Sequence, residues 1–531
     1  MILAILLFIV VAIPLHFFII HYTKHGRLIN AIPGPQAVPI FGNLLSLQLV
    51  FSPFWLKNKT TSDLWDTIRE FGNQYYPIYR LWSHMFPMIN IRHPDDMETV
   101  LGNPRFIQKS HVYNLLLPWF GTGLLTSTGR KWQVRRKILT PAFHFNVLQQ
   151  FVDIFIEEGD RLIQGLKDEG GPVVKDLVQF CSMHTLNVIC ETAMGTSLKD
   201  KGPFEYKYRK AVHDMGDVLV YRLTRPWLHY DYVFQLFPEG WRQSRLLKIL
   251  HGFTKKIIQE RKQYHDQTNG RYLSGLGDDV SEKKQEDDVG IRKRRLAMLD
   301  LLIAAHRNNQ IDDDGIREEV DTFMFRGHDT TAMCLCFTIM LLAEHKEIQE
   351  RARAEMISVM QENDGKITLS TLQNLPYLER CIKESLRLYP SVPFISRMPE
   401  TDVKLSNYIV PANTITHVHI VDLHRDPYYW PNPMVYDPDR FLPENMHGRH
   451  PYSYVPFSAG PRNCVGQRFA MLELKTTLGL LLQNFYFEPC DYLKDARLIT
   501  DLVIRASHPL RTKFIPIKHT STHCAPGVEG T

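Results

Sequence analysis

Cysteine is scarce in this chain, with Cys181, Cys190, Cys334, Cys336, Cys381, Cys464, Cys490 and Cys524 the only eight in 531 residues. No two of them form a CxxC pair, which leaves zinc ribbons and thioredoxin-like motifs without support. The density is also too low for a disulfide scaffold, so reduced, cytosol-facing thiols are expected. Excess charge is missing too: 62 Lys and Arg against 57 Asp and Glu give a formal +5. So small a balance argues against a dedicated nucleic-acid binder. There is no internal repeat and no glycine-rich dinucleotide fingerprint of the Rossmann type. What is present is ordinary globular composition, 44% hydrophobic and 22% charged, which excludes disorder, collagen and coiled coil for the whole chain. Length as a prior suggests three or four domains, and one large enzyme domain fits equally well.

The longest charge-free stretch is the N-terminus. Residues Met1 to Tyr22 hold no Asp, Glu, Lys or Arg, and about 20 apolar residues cross a bilayer core. Lys24 and Arg27 follow at once, which orients the rest of the chain to the cytosol. A basic leading region and an A-x-A cleavage site are both lacking, so an uncleaved anchor over 1–22 is expected rather than a secretory signal. Pro33, Pro35 and Pro39 stiffen the segment that follows and, with Gly34 and Gly42 among them, mark 23–43 as a linker. The catalytic body then spans 44–518, and 519–531 reads as a flexible tail.

Within the body, apolar residues recur at helical spacing from Trp132 to Leu139, Leu177 to Met194 and Ile316 to Met360. Strand-like patches are short and cluster near 76–92 and 402–420. The expected fold is mainly α with small β-sheets. Residues 265–295 have almost no apolar content and read as a surface loop.

Chemistry concentrates around Cys464. The string Phe457-Ser-Ala-Gly460-Pro-Arg462-Asn-Cys464-Val-Gly466 opens a helical segment from Gln467 to Leu482. Glycines allow close approach to a flat cofactor, and a helix start stabilises a thiolate that can serve as an anionic metal ligand. The plain alternative is a buried, inert thiol. A second unusual feature is Gly327-His-Asp-Thr-Thr331, polar residues inside an otherwise apolar helix, where they are expensive unless bonded or reactive.

FSAGPRNCVG resembles the haem-binding signature FxxGxRxCxG of the cytochrome P-450 haem-thiolate monooxygenases, with Phe457, Gly460, Arg462, Cys464 and Gly466 filling each specified place. Glu384-Ser-Leu-Arg387 resembles the family's ExxR element, and Pro438-Asp-Arg440-Phe441 its partner segment. The resemblance implies that Glu384, Arg387 and Arg440 form a buried structural network holding the cysteine loop. Trp132-Gln-Val-Arg-Arg136 resembles the WxxxR helix, implying that Trp132, Arg136, Arg462 and, more weakly, Arg397 bind the haem propionates. Asp329 and Thr330 match the acid–alcohol pair that delivers protons during oxygen activation. The alternative for Thr330 is a hydroxyl bonded to its own preceding turn.

The match spans essentially the whole body and is similar to family 4, through Glu191-Thr-Ala-Met-Gly195, the run at 139–145 and EEVDTFMF–GHDTT. The resemblance implies a microsomal enzyme of the endoplasmic reticulum membrane. Its cofactor would be haem b with Cys464 as axial iron ligand. Electrons would come from NADPH through a separate reductase, with cytochrome b5 a further partner, and the reaction would be terminal hydroxylation of fatty acids or related lipids. Terpenoid hormones, xenobiotics such as insecticides, a haem-thiolate isomerase and an inactive haem protein are the alternatives.

One departure stands out. Much of family 4 has a glutamate directly before GHDTT that can form an ester to haem; this chain has Arg326, so noncovalent haem is expected. Asp329 one turn on, a substrate carboxylate, or solvent reached by snorkelling are the open partners for that cation. Lys475 and Arg468, near the cysteine face, are weak candidates for docking an acidic redox partner. Leu115 to Leu125 and residues 215–240 are expected to shape substrate access.

Overall fold

The computed structural model describes residues 11, 14–38, 41–43, 61–198, 202–269, 297–499 and 501–517. Its centre is the helix Asp313–Glu344, 32 residues and so about 48 Å long at 1.5 Å per residue. The Asp312 side chain caps it by accepting from the Gly315 N–H, and Asp313 and Asp314 lie in its first turn, where the helix dipole favours carboxylates. From Ile316 to Ala343 it is buried almost all round, as expected of a helix that runs through a core. His345 departs from helical geometry, and the next helix is Lys346–Glu362. The apolar run from 316 to 360 is thus two helices rather than one.

Helix Leu177–Thr192, capped by Asp176, lies along the central helix. The approach is close because position 327 has no side chain: a Cβ on Gly327 would stand 2.5 Å from Ile189 Cδ1. That glycine answers to helix packing, and the helix continues unbroken through 327–331. Helix Gln467–Asn484 packs on Phe145–Lys167, with Phe469 edge-on to Phe151 and Phe155.

The strands are short. One sheet runs in the order Ile78–Ser83, Phe86–Ile91, Ile415–His419, Phe394–Arg397. Its pairings are antiparallel, parallel and antiparallel, with Met88 opposite Ile415 and Phe394 opposite His419. A second joins Val173–Asp176, Arg511–Pro516 and Phe485–Pro489. Leu498–Ile499 pairs with Arg505–Ala506. The mainly helical reading with small sheets agrees with this architecture.

The expected anchor falls largely on residues outside the described ones, and no helix among the described residues is long and apolar enough to cross a membrane. Within 23–43, Lys24–Asn30 is helical. The Pro33 carbonyl accepts from Arg80 N–H at 2.8 Å, so this segment lies against a strand. The surface-loop reading of 265–295 needs correction at its start. Helix Pro238–Gln267 includes His265, which is buried and meets Asp300 at 2.7 Å; residues 270–296 lie outside the described ones, as does the tail.

Candidate active site

Cys464 lies on the wall of a cavity of about 300 Å³. The loop that carries it is closed by the Cys464 N–H donating to the Phe457 carbonyl at 2.9 Å. Gly460 sits at φ +69°, and a Cβ there would stand 1.9 Å from the Leu101 carbonyl oxygen. Only glycine satisfies both the turn and that approach. Gly466 caps the helix Gln467–Asn484, and Phe457 and Gly466 line the cavity on either side of the cysteine.

Behind the loop, Arg387 donates to both oxygens of Glu384 at 2.7 Å, with both side chains wholly buried. Arg440 Nε stands 3.3 Å from the same carboxylate, and its other nitrogens bond the Pro431 and Asn432 carbonyls. Arg387 also donates to the His424 carbonyl at 2.8 Å, while His424 Nε2 accepts the Val455 N–H at 2.8 Å. Burial, reinforced by Arg387, pushes the His424 imidazole down to about 3, which keeps it a neutral acceptor. The three charged residues are therefore connected, through His424, to the chain two residues before Phe457.

The central helix lines the same cavity with Arg326, Gly327 and Thr330. Thr330 Oγ1 donates to the Arg326 carbonyl at 2.5 Å, and the Thr330 carbonyl accepts from Ser391 at 2.8 Å. The hydroxyl proton thus rests on the preceding turn and the oxygen remains an acceptor. Asp329, about 100° round the helix, points elsewhere. Both its oxygens accept from Arg505 Nη2, at 2.8 and 2.7 Å. Pairing of Asp329 with Arg326 is thereby ruled out as a reading, because a stronger cation partner comes from a distant strand. Arg505 also meets Asp501 at 2.8 Å. Asp501 in turn lines the cavity beside Leu502 and Val503. Burial opposes the Arg505 charge, but Asp329 and Asp501 outweigh it and raise its proton affinity.

Trp132, Arg136, Arg397 and Arg462 also line the cavity. Arg136 grips Asn463, the residue before the cysteine, through its carbonyl at 3.0 Å and its Oδ1 at 2.9 Å. The Arg462 guanidinium lies 4.8 Å from the centre of the Trp132 ring. Of the residues expected to shape access, Leu115, Leu116, Leu124, Leu125, Leu219 and Leu223 form apolar wall. The docking candidate Lys475 is buried, bonded to the Leu372 carbonyl and 2.5 Å from Glu379; Arg468 remains exposed.

The Cytochrome P450 family model matches residues 32–514. Among curated proteins, the chain is 41% identical to "Cytochrome P450 4c3" of Drosophila melanogaster, over 94% of this chain and 92% of that one. It is 38% identical to "Cytochrome P450 4c21" of Blattella germanica, over 92% and 94%. It is 37% identical to human "Cytochrome P450 4V2", over 93% and 91%. The chain belongs to the cytochrome P450 family. Its relatives are family 4 members, and with the family come the class of oxidoreductase monooxygenases and a haem iron cofactor.

The P450 cavity fits that group on its own geometry. Lys109, Arg136, Arg326, Arg397 and Arg462 line it, and no carboxylate among the described residues forms an ion pair with any of the five. A flat cofactor bearing two carboxylates and taking a thiolate supplies what this lining lacks. Lys109, Asp501 and Arg505 escaped the reading of the sequence. Arg505 did leave a trace, as a lone cation in the apolar run Leu502-Val-Ile-Arg505.

Glu473 of the P450 helix Gln467–Asn484 was also missed. It is 1% exposed, and neither carboxyl oxygen has a hydrogen-bond partner among the described residues. Burial pushes it well above the usual carboxylate range. A carboxyl whose folded pKa is raised leaves stability intact below its unfolded pKa and removes it as pH rises towards the folded one. Glu473→Leu is therefore expected to raise the thermal midpoint at neutral pH and to change it least in acid. A gain that is the same at every pH would contradict the assignment.

Proposed function

We propose that the protein is a membrane-anchored haem-thiolate monooxygenase that hydroxylates fatty acids or related lipids at the terminal carbon. The observation that carries this is Cys464 on the wall of a largely apolar cavity that Thr330 also lines. The body over 44–518 would sit on the cytosolic side of the endoplasmic reticulum membrane, held by residues 1–22. NADPH would supply electrons through a separate reductase, with cytochrome b5 as a second donor.

Haem, ligated by the Cys464 thiolate, supplies the activation of dioxygen when bound. Trp132, Arg136, Arg397 and Arg462 would hold its carboxylates, and the network Glu384–Arg387–Arg440 would fix the loop beneath it. The leucines of the wall exclude water and align a chain by burying it. Thr330 directs its hydroxyl hydrogen at the Arg326 carbonyl, and its oxygen is free to accept a hydrogen bond from solvent entering the cavity. Asp329 is fixed by Arg505 one step round the helix. Because Arg326 cannot form an ester, haem would be released intact by acid denaturation.

The test is product analysis. Haem-loaded protein, reductase, NADPH and mixed fatty acids are expected to yield a terminal hydroxyl located by mass spectrometry. Absence of oxidation, with the reductase verified on a control enzyme, would overturn the substrate. Cys464→Ser is expected to lose the carbon-monoxide difference band of thiolate-ligated haem and to bring oxidation below detection. A variant that kept both would remove Cys464 from its assigned place.

A further inference from the structure

The leucines of the cavity wall are not all held in the same way. Leu124 and Leu125 belong to the segment 121–127, which is built of turns, and two adjacent carboxylates of the central helix fasten it. Glu318 accepts from the Thr122 N–H at 2.8 Å, the Thr122 hydroxyl at 3.0 Å and Lys131 at 3.1 Å. Glu319 accepts only the Leu124 N–H, at 3.0 Å. Its other oxygen has no hydrogen-bond partner among the described residues. Arg135 Nε stands 4.0 Å from that oxygen, beyond hydrogen-bond reach, and Arg135 Nη1 has no partner either. Both side chains are buried, Glu319 wholly so. At the other end of the segment, Arg462 takes the Leu125 and Ser127 carbonyls. The seat is tight: a Cβ on Gly123 would stand 2.8 Å from the Glu318 carbonyl oxygen.

The two acids differ in what their charge costs. Burial opposes the Glu318 charge, but Thr122 and Lys131 outweigh it and hold that carboxyl below its usual range. Burial pushes Glu319 up to about 7, offset only in part by the Leu124 N–H and Arg135. Glu318 adds to the rise, and Lys131 is the remaining charge that bears on it. The segment itself brings no titratable side chain. A buried, half-satisfied carboxylate gains more from water than from one N–H. Of the elements that meet Glu319, the central helix and Gly129–Leu139 are regular, and the segment of turns moves at least cost.

We propose that Glu319 is a positioning residue for the cavity wall: uncharged, it keeps the segment 121–127 seated with Leu124 and Leu125 in the wall, and ionised, it lets the segment lift and widens access. Seated, the carboxyl titrates near 7; lifted and wetted, it returns towards its ordinary value of 4.5. The seated form therefore binds the proton more tightly. Its advantage is complete below 4.5, falls as pH rises to about 7, and falls no further above that. The inference rests on the haem site and on no particular substrate.

The test follows cyclohexyl isocyanide, a bulky and uncharged iron ligand, onto the haem of the full protein by stopped flow. Carbon monoxide serves as the small ligand. The isocyanide on-rate is expected to rise roughly tenfold from about pH 5.5 to about pH 7 and to level off above, while carbon monoxide changes far less. Glu319→Gln should hold the slow rate at every pH, since an amide never ionises. Arg135→Gln should carry the rise to higher pH, because the carboxyl loses its nearest cation. Asp321 is the control. Burial raises it to about 7 as well, but both its oxygens are bonded, to Thr254 at 2.7 Å and Arg317 at 2.9 Å. Asp321→Asn should therefore keep the profile of the unaltered protein. An on-rate that stays flat with pH in the unaltered protein would overturn the assignment, whether or not any variant folds. So would a rise that survives Glu319→Gln, one that disappears with Asp321→Asn, or one that carbon monoxide shares in full.

Discussion

Glu384→Ala is expected to yield a protein that cannot retain haem. The substitution removes the carboxylate paired with Arg387, whose side chain is wholly buried, and strands Arg440 beside it. Removing one partner of a buried ion pair costs about 3–5 kcal/mol, a large part of the roughly 5–15 kcal/mol that keeps a domain folded. The damage also has a direction. Arg387 holds the His424 carbonyl, and His424 receives the Val455 N–H, so slack in the pair reaches the chain just before Phe457. Glu384→Gln, which keeps the shape and one acceptor, should fall between. Denaturant unfolding and the carbon-monoxide difference spectrum measure the two parts. An alanine variant within about 1 kcal/mol of the unaltered protein, with haem retained, would make this pair as weak as a surface one.

How much of this could be read from residues alone depends on how local the cause is. Gly460 and Cys464 are fixed by a turn of a few residues, and Glu384 with Arg387 by one helical turn, so spacing reveals them. The helices at Leu177–Thr192 and Gln467–Asn484 carry their period within themselves. Arg505 is different. It lies 176 positions from Asp329 on a two-residue strand, and only the folded chain brings the two together. Lys109 is equally silent, a lysine in a polar stretch that turns inward beside Tyr113. Gly327 shows the opposite hazard, since a glycine next to a reactive string invites a chemical explanation. Its neighbour Ile189 supplies a packing one.

Arg505→Met should produce the other large effect, because one guanidinium serves two acids. Asp329 and Asp501 both depend on it, and both are buried. Gly216 leaves the room that Asp501 occupies: a Cβ there would stand 2.7 Å from its Oδ1. The cost is again about 3–5 kcal/mol, and its pH dependence identifies the cause. Burial already raises the Asp501 carboxyl and Arg505 offsets part of that rise; without the guanidinium it climbs further. A raised folded pKa costs nothing below the unfolded value and progressively more as pH rises through the carboxylate range. The deficit measured by denaturant unfolding should therefore shrink in acid and grow towards neutrality. Adding Asp329→Asn and Asp501→Asn should recover much of it, since neutral amides need no counter-charge. The same variants separate positioning from chemistry. If Arg505 serves oxidation by fixing Asp329, Arg505→Met should lower product formed per NADPH consumed while carboxylic-acid binding stays unchanged. A loss of stability with that ratio intact would confine Arg505 to the fold and leave Thr330 as the proton-handling group of the cavity.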